Sequence, residues 1–325
     1  MAYVQFSNII EPTRFGQYMA EKATDNDKLL TSGIVTNDAK MSEHLSGGGV
    51  MWHQPHWNPV TRGGWDIPDD SNVDIVPVAI DAKDMMWRRF AFSKAYEAAD
   101  FVASVAGADP MEEMSRLVAN DLNIQKQNIL ISQLRGIAAD NVANHGGDMI
   151  VDLTSFAGDA GKINGDAVIN ARYTMGDYAD QIKILAVHSV VANRLRILDQ
   201  NNYIPASKTD IGFDSYMGFR LLITDMMPVI NGQFYSYMFA PNVVKYGQGG
   251  KLTPVSVERE EKAARGGGKE TLVIRHECAY CPLGYSFTGT PLLKTPKLAE
   301  MQTAAMWTRV FERKNIPFAV LVTNG

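Results

Sequence analysis

The sequence predicts an α+β fold in which one long helix supports two regions of different character. Three observations indicate this fold class: a helical pattern over 109–143, alternating helix and strand patterns over 148–240, and a β-rich remainder over 241–325. Each region has an apolar face that needs a partner layer. We therefore expect both regions to pack on the long helix.

The long helix has clear start and stop signals. Asp109 can accept a hydrogen bond from a free backbone N–H, Pro110 suits the first helical position, and Glu112 can reach back as in a capping box. Glycines at 146–147 predict its end. At about 1.5 Å per residue the helix would be roughly 50 Å long. Apolar residues at spacings of three and four flank a polar middle at 123–128 and predict one buried stripe: Met111, Met114, Val118, Leu122, Ile131, Leu134, Ala138 and Val142.

Composition excludes several classes of protein. A chain of 325 residues with 46% hydrophobic and 21% charged residues is globular and long enough for about two domains. Its net charge of −5 argues against a broad nucleic-acid-binding surface and is compatible with a wall that encloses nucleic acid without adhering to it. Two cysteines rule out a disulfide framework and favour a reducing compartment. We expect no signal peptide and no membrane span.

Residues 1–45 are predicted to form an extended arm with one or two short helices. The arm includes Phe15 and Tyr18 and is too weakly periodic to bury its own apolar residues. We therefore expect it to gain burial on a neighbouring surface, with Phe15 and Tyr18 as candidate interface residues.

Residues 46–92 are predicted to form a two-stranded β excursion, with its second strand at 73–80. Trp52, Trp57 and Trp65 fall within 14 residues beside Arg62, in a segment unsuited to a helix. A lone hairpin is marginal in water, and interfaces favour tryptophan. These four residues are therefore candidates for a subunit interface. The alternative is a platform of Trp and His for a sugar or a base.

The remaining elements follow from local pattern. Residues 93–105 fit a strand or a helix equally well. Region 148–240 predicts helices at 163–180 and 189–198 between strands at 182–187, 218–224 and 234–240. Strands at 255–261, 271–277, 311–312 and 318–323, with a short helix at 298–307, complete the chain. No glycine-rich phosphate loop follows a strand, so we predict no cofactor.

The strongest chemical candidates are His276, Cys278 and Cys281. They could bind zinc or act as thiols, but a structural zinc site needs four ligands and the sequence has no second cysteine pair. The simpler interpretation is two small buried side chains beside a hydrogen-bonded histidine. We predict no catalytic residues and no metal site.

The order of these parts resembles the tailed-bacteriophage major capsid proteins of the Hong Kong 97-like fold. The resemblance covers most of the chain and is strongest at 103–111 and at 296–325. The residues that carry it are Ala103, Ser104, Ala106, Gly107, Ala108, Asp109, Pro110 and Met111, then Ala299, Glu300, Trp307, Glu312, Lys314, Asn315, Ile316, Thr323, Asn324 and Gly325.

The resemblance implies a division of the chain into five parts. Residues 1–45 would be the N-terminal arm, 46–92 the extended loop, and 93–147 the spine helix with the residues leading into it, as part of the peripheral domain. Residues 148–240 would be the axial α/β domain, and 241–325 would complete the peripheral β layer.

The resemblance also implies a structural protein rather than an enzyme. Copies would assemble as hexamers and pentamers into an icosahedral shell around a double-stranded DNA genome, without sequence-specific DNA binding. The shell would be built in the host cytoplasm and belong to the virion. A separate scaffolding protein, a portal and a decoration protein are the implied partners. Two alternatives stay open: an encapsulin-type compartment shell, and a metal- or thiol-dependent hydrolase using His276, Cys278 and Cys281.

Some members of that family form a Lys–Asn cross-link from the extended loop. Here no lysine lies between Lys40 and Lys83. We therefore expect no such covalent link.

Overall fold

The computed structural model describes most of the chain. Only the backbone is described for 110–116 and 119. The described residues are 28–59, 65, 67, 74–75, 77, 79–100, 110–198, 203–205, 214–250 and 254–324.

Six α-helices and seventeen strands lie within these ranges. The helices are α1 (Lys28–Thr31), α2 (Ala39–Gly47), α3 (Pro110–Asn144), α4 (Gly165–Tyr173), α5 (Ser189–Leu198) and α6 (Leu298–Met301), with a distorted turn at Ala263–Gly266. The strands are β1 (Val35–Asn37), β2 (Met51–Trp57), β3 (Ala82–Arg88), β4 (Phe90–Ala99), β5 (Ile150–Asp152), β6 (Ile184–Val187), β7 (Tyr203–Ile204), β8 (Ser215–Tyr216), β9 (Phe219–Ile223), β10 (Val229–Ile230), β11 (Gln233–Phe239), β12 (Val244–Gln248), β13 (Val255–Glu260), β14 (Lys269–Pro282), β15 (Tyr285–Phe287), β16 (Trp307–Arg309) and β17 (Phe318–Thr323).

Two larger sheets organise the chain. A five-stranded sheet is built on β14, which pairs with β4, β12 and β13, while β1 lies parallel to β12. An eight-stranded sheet has the order β5-β17-β11-β6-β9-β8-β7, with β10 beside β11. The β2–β3 and β15–β16 pairs form two further small sheets.

The eight-stranded sheet is the middle layer of three. Alternate residues of β6 point to opposite faces, so Ile184 and Ala186 belong to a core shared with Leu134 of α3. Leu185 belongs to a second core shared with Val168 of α4 and Leu195 of α5. The α3 helix therefore packs on one face of this sheet, and α4 and α5 cover the other.

The long helix runs within one residue of the predicted limits. It ends where Gly146 and Gly147 take positive φ, and the backbone N–H groups of His145 and Gly147 both donate to the carbonyl of Asn141. Asp109 and the side chain of Glu112 lie outside the described residues.

The predicted apolar stripe on this helix is correct in part. Val118, Ile131, Leu134 and Ala138 are buried, but Val142 is 62% exposed. Polar Gln127 is fully buried instead, and its Oε1 accepts a hydrogen bond from the backbone of Leu29. A helix covered on several sides buries polar residues when they find partners, which a stripe pattern does not predict.

The prediction that the arm needs a neighbour is wrong for residues 28–45. Leu29, Ile34 and Leu45 are fully buried within the same chain. Strand β1 extends the five-stranded sheet, and the Asp38 side chain caps α2 by accepting from the N–H groups of residues 40 and 41. Phe15 and Tyr18 lie outside the described residues.

The second strand of the excursion is not at 73–80. The described residues in that interval have no strand conformation, and β3 follows them at Ala82–Arg88. Pro77 offers no N–H to a ladder, which is consistent with this shift along the chain. The ambiguous stretch 93–105 is a strand as far as Ala99, and residues 101–105 lie outside the described ranges.

The helix predicted over 163–180 is shorter than expected. Asn164 caps α4 by accepting from the N–H of Ala167 at 2.7 Å, and α4 stops at Tyr173. Gly176 has a φ of 60°, and a 3₁₀ segment follows at Gly176–Gln181. A residue in left-handed conformation ends an α-helix.

The helix predicted at 189–198 is observed with these bounds, as α5. Two smaller predictions change. The helix at 298–307 is only α6, because Trp307 begins β16, and residues 311–312 form no strand.

The division of the chain at residue 240 stays a prediction. Strand β17, from the predicted peripheral part, pairs with β11 and β5 of the predicted axial part. No helix in the described ranges is long and apolar enough to span a membrane.

Candidate subunit interface

The β2–β3 hairpin has an antiparallel register in which Trp52 faces Trp87 and Trp57 faces Ala82. From the last pair of this ladder onward, the chain exposes large apolar side chains. Trp57 is 74% exposed and Trp65 is 97% exposed. We call the following set the tip surface: Trp57, Trp65, Ile67, Ile75 and Ile80, all of them exposed. Several large apolar side chains exposed on one loop are typical of a surface that is covered in an assembly.

The base of the hairpin is packed within the subunit. Trp52 stacks on Trp87, with ring centroids 4.8 Å apart. Six buried residues form what we call the base cluster: Met41, Leu45, Met85, Trp87, Ala279 and Cys281. Trp52 packs against this cluster and is partly buried.

Farther along the hairpin, a second contact joins it to the C-terminal part of the chain. The His56 ring meets Phe311 edge-on, with centroids 4.9 Å apart. A cleft between the hairpin and residues 310–315 is lined by Trp57, Lys83 and Glu312.

The predicted interface residues therefore differ in how far their own subunit covers them. Trp52 lies at the base, among residues of its own chain, whereas Trp57 and Trp65 lie in the exposed part. Arg62 lies outside the described residues. Sequence reasoning did not single out Ile67, Ile75 and Ile80, because isolated isoleucines between prolines and aspartates carry no periodic signal.

The two cysteines cannot act as a pair. Both lie in β14 three positions apart, which places their side chains on opposite faces of the strand. Cys278 belongs to the main core and Cys281 to the base cluster. Burial raises the pKa of each thiol to about 12, so both are protonated at neutral pH.

His276 is also a structural residue. It is buried beside Phe92, and its Nε2 lies 3.2 Å from the hydroxyl of Tyr246. Burial lowers the pKa of His276 to about 4, which keeps the ring neutral. Within the described ranges, no group of three or more His, Cys, Asp or Glu residues could hold a metal ion.

Comparison with known proteins supplies the family context. No family model matches the chain. It is 26% identical over 325 residues to the major capsid protein of Bacillus phage SPP1, covering 97% of each chain. The capsid asymmetric unit of cyanophage Pam1 superimposes with a TM-score of 0.59 over 95% of this chain and 94% of that one, at 8% identity.

The chain has the Hong Kong 97-like capsid fold. The predicted α+β class, with its extended hairpin and long spine helix, is thereby confirmed. The holo-SrpI encapsulin complex of Synechococcus elongatus shares this capsid fold, with a TM-score of 0.54 and 10% identity over 100% of this chain and 96% of that one. In this fold α3 is the spine helix and the β2–β3 hairpin is the base of the extended loop.

Proposed function

We propose that this chain is the major capsid protein of a tailed bacteriophage. Copies assemble as hexamers and pentamers into an icosahedral shell that encloses a double-stranded DNA genome. The observation that carries this proposal is the relationship to a phage major capsid protein along 97% of both chains. The similarity extends along nearly the whole chain rather than over one motif, so it supports a shared architecture and a shared role.

The extended loop supplies the physical support. Its tip surface exposes two tryptophans and three isoleucines that the subunit leaves in water. Obligate interfaces commonly bury more than about 2,000 Å² and are more apolar than ordinary surfaces. A well-packed interface tryptophan is often worth about 2 kcal/mol or more. Covering the tip surface with a second copy would therefore favour assembly.

The role is structural, and the shell belongs to the virion. A net charge of −5 suits a wall around DNA, because a strongly basic inner surface would bind the genome tightly. A separate scaffolding protein, a portal and a decoration protein complete the assembly in the host cytoplasm.

Negative-stain microscopy and light scattering of the purified chain test the proposal. We expect shells or capsomer rings, or a mixture of large misassembled forms when no scaffold is present. A stable, monodisperse 35.8 kDa monomer at physiological salt would contradict it.

The chain also shares its fold with an encapsulin. A second measurement on the same shells therefore distinguishes a virion from a protein-storing compartment. Co-purification of a stoichiometric enzyme cargo would favour a protein-storing compartment over a genome container.

A further inference from the structure

The chain joins the extended-loop hairpin to the body at two places of opposite character. Before β2, Gly48 and Gly49 take φ values of 106° and 101°, a conformation that glycine adopts at low cost. The ring of Trp52 lies against Gly49 at this joint. After β3, Arg89 stands alone between β3 and β4 and belongs to neither strand. Its N–H donates to the carbonyl of Val50 at 3.0 Å.

The Arg89 side chain contacts three separate elements at once. Its Nη1 donates to Glu277 Oε1 of β14 at 2.9 Å, and its Nη2 donates to the carbonyl of Leu45 in α2. The guanidinium lies 5.5 Å from the ring centroid of Trp52 in β2. The planar group thus connects the sheet, the arm and the first strand of the hairpin.

This ion pair is a poor source of stability. The side chains of Arg89 and Glu277 are only 16% and 5% exposed. The described part of the chain offers no hydrogen-bond partner to Arg89 Nε or to Glu277 Oε2. Removing two charges from water offsets much of their attraction, so a buried pair with unused donors and acceptors contributes little net stability. Its directional hydrogen bonds do, however, fix the position of Arg89 relative to the elements that it contacts.

Two other hydrogen bonds join β3 to the body: the Met86 N–H donates to Ser286 Oγ and Arg88 Nε donates to the Lys294 carbonyl, each at 3.0 Å. Each of them links the hairpin to one segment only, whereas Arg89 meets three elements.

Other contacts of the hairpin are apolar. Met85 and Trp87 pack into the base cluster, and His56 meets Phe311 through ring edges. Apolar contacts of this kind hold the hairpin on the body, but they depend on buried area more than on angle.

We infer that Arg89 sets the direction of the extended-loop hairpin relative to the five-stranded sheet, and so positions the tip surface for a neighbouring copy. Arg89 is a positioning residue, and this role rests on the proposed shell function. If the hairpin pointed correctly for only a tenth of the time, the apparent affinity between subunits would fall roughly tenfold.

The direction of the hairpin can be measured by electron–electron distance spectroscopy. Spin labels are placed on Ala82→Cys in β3 and Ser93→Cys in β4, two exposed positions on either side of Arg89. The natural cysteines are buried and stay unlabelled. The doubly labelled full-length chain is diluted into unlabelled chain, so that only distances within one subunit are recorded.

The test variant is Arg89→Gln with Glu277→Gln, which removes the pair and leaves no orphaned charge. The control is Arg172→Gln with Asp180→Asn, an ion pair with the same kinds of partner at a more exposed position (27% and 92% exposed side chains). Arg172 likewise contacts a carboxylate (Asp180, 2.7 Å), a backbone carbonyl (Ala179, 3.0 Å) and a ring (Phe219, 5.2 Å), but it lies in the axial region, away from the hairpin.

We expect the test variant to broaden the label distance distribution and to raise the shell-forming concentration roughly tenfold. Its thermal midpoint should stay close to that of the control. Arg89→Lys should give an intermediate result, because one ammonium retains the charge but does not reproduce the planar fork.

Two results would overturn the inference. One is a distance distribution and shell yield equal to those of the control. The other is a thermal midpoint well below the control with assembly lost in proportion, which would make the pair a core contact. If even the unaltered chain stays a stable, monodisperse monomer, the proposed function fails, whereas the distance measurement still decides the role of Arg89.

Discussion

At the scale of single residues, the tryptophans of the extended loop have different environments. Trp52 stacks on Trp87 and lies beneath the Arg89 guanidinium, whereas Trp57 and Trp65 have no comparable cover. We predict that Trp52→Ala lowers the free energy of unfolding by about 2 kcal/mol, as for a partly buried aromatic residue. Trp57→Ala with Trp65→Ala should change it by less than about 0.5 kcal/mol. Chemical denaturation of the unassembled chain measures both.

The same two variants separate folding from assembly. The Trp57 and Trp65 double variant should fold normally and still form fewer shells, because only the tip surface has changed. If that variant unfolds at lower denaturant than the unaltered chain, the two residues belong to the subunit core and the interface assignment is wrong.

The cysteines provide a second residue-scale prediction. Their buried thiols have a pKa of about 12, so very little thiolate forms at about pH 8. We predict that iodoacetamide leaves the native chain unmodified and alkylates Cys278 and Cys281 after denaturation, as read by mass spectrometry. Cys278→Ser with Cys281→Ser should destabilise the chain by roughly 1–3 kcal/mol and still permit shells. One equivalent of zinc in the purified protein would contradict the structural role.

At the scale of elements, residues 301–307 cross closely over the spine helix α3 at Gly136, and this crossing depends on the absence of a side chain there. A Cβ at this position would lie 2.0 Å from the carbonyl oxygen of Met301 and 2.2 Å from Trp307 Nε1. These two atoms hydrogen-bond to each other at 2.7 Å, so neither can move away freely. The glycine permits the close approach of two backbones in the C-terminal third of α3.

We predict that Gly136→Ala destabilises the chain by roughly 2–4 kcal/mol, through overpacking at this crossing. Helix propensity alone predicts the opposite sign, a gain of about 1 kcal/mol. Thermal unfolding measures the change. Val142→Ala is the control, since Val142 lies on the same helix and is exposed, so it should shift stability by less than about 0.5 kcal/mol. A stabilised Gly136→Ala variant would show that the segment does not cross there.

At the scale of the whole molecule, the shell should be held together without covalent bonds. Lys83 is the first lysine after Lys40, and it lies exposed in β3. We predict that shells boiled in denaturant release single 35.8 kDa chains on a denaturing gel. A ladder of covalent multimers would contradict this, and Lys83→Arg would then show whether that amine forms the link.

Several parts of this architecture could be predicted from sequence because their signals are local. The α3 helix has a periodic apolar pattern and a first-turn proline, and glycines follow directly after its end. These signals predict both of its limits to within one residue. The composition of residues 46–92, which is rich in tryptophan, predicts a hairpin. The second strand was misplaced because Val73, Ile75 and Ile80 are as strand-like as residues 82–88, and the choice depends on which partner faces β2.

The sequence by itself determined the α+β class, the spine helix and the excursion, since each depends on neighbours a few positions apart. Only the tertiary structure decided that residues 28–45 bury leucines in their own chain, that Val142 is exposed, that Gln127 is buried, and that Arg89 meets three elements. The contacts behind these outcomes are between residues far apart along the chain. Arg89 and Glu277, for example, are separated by 188 positions. Burial and pairing at such separations depend on how layers stack, and no local pattern contains that information.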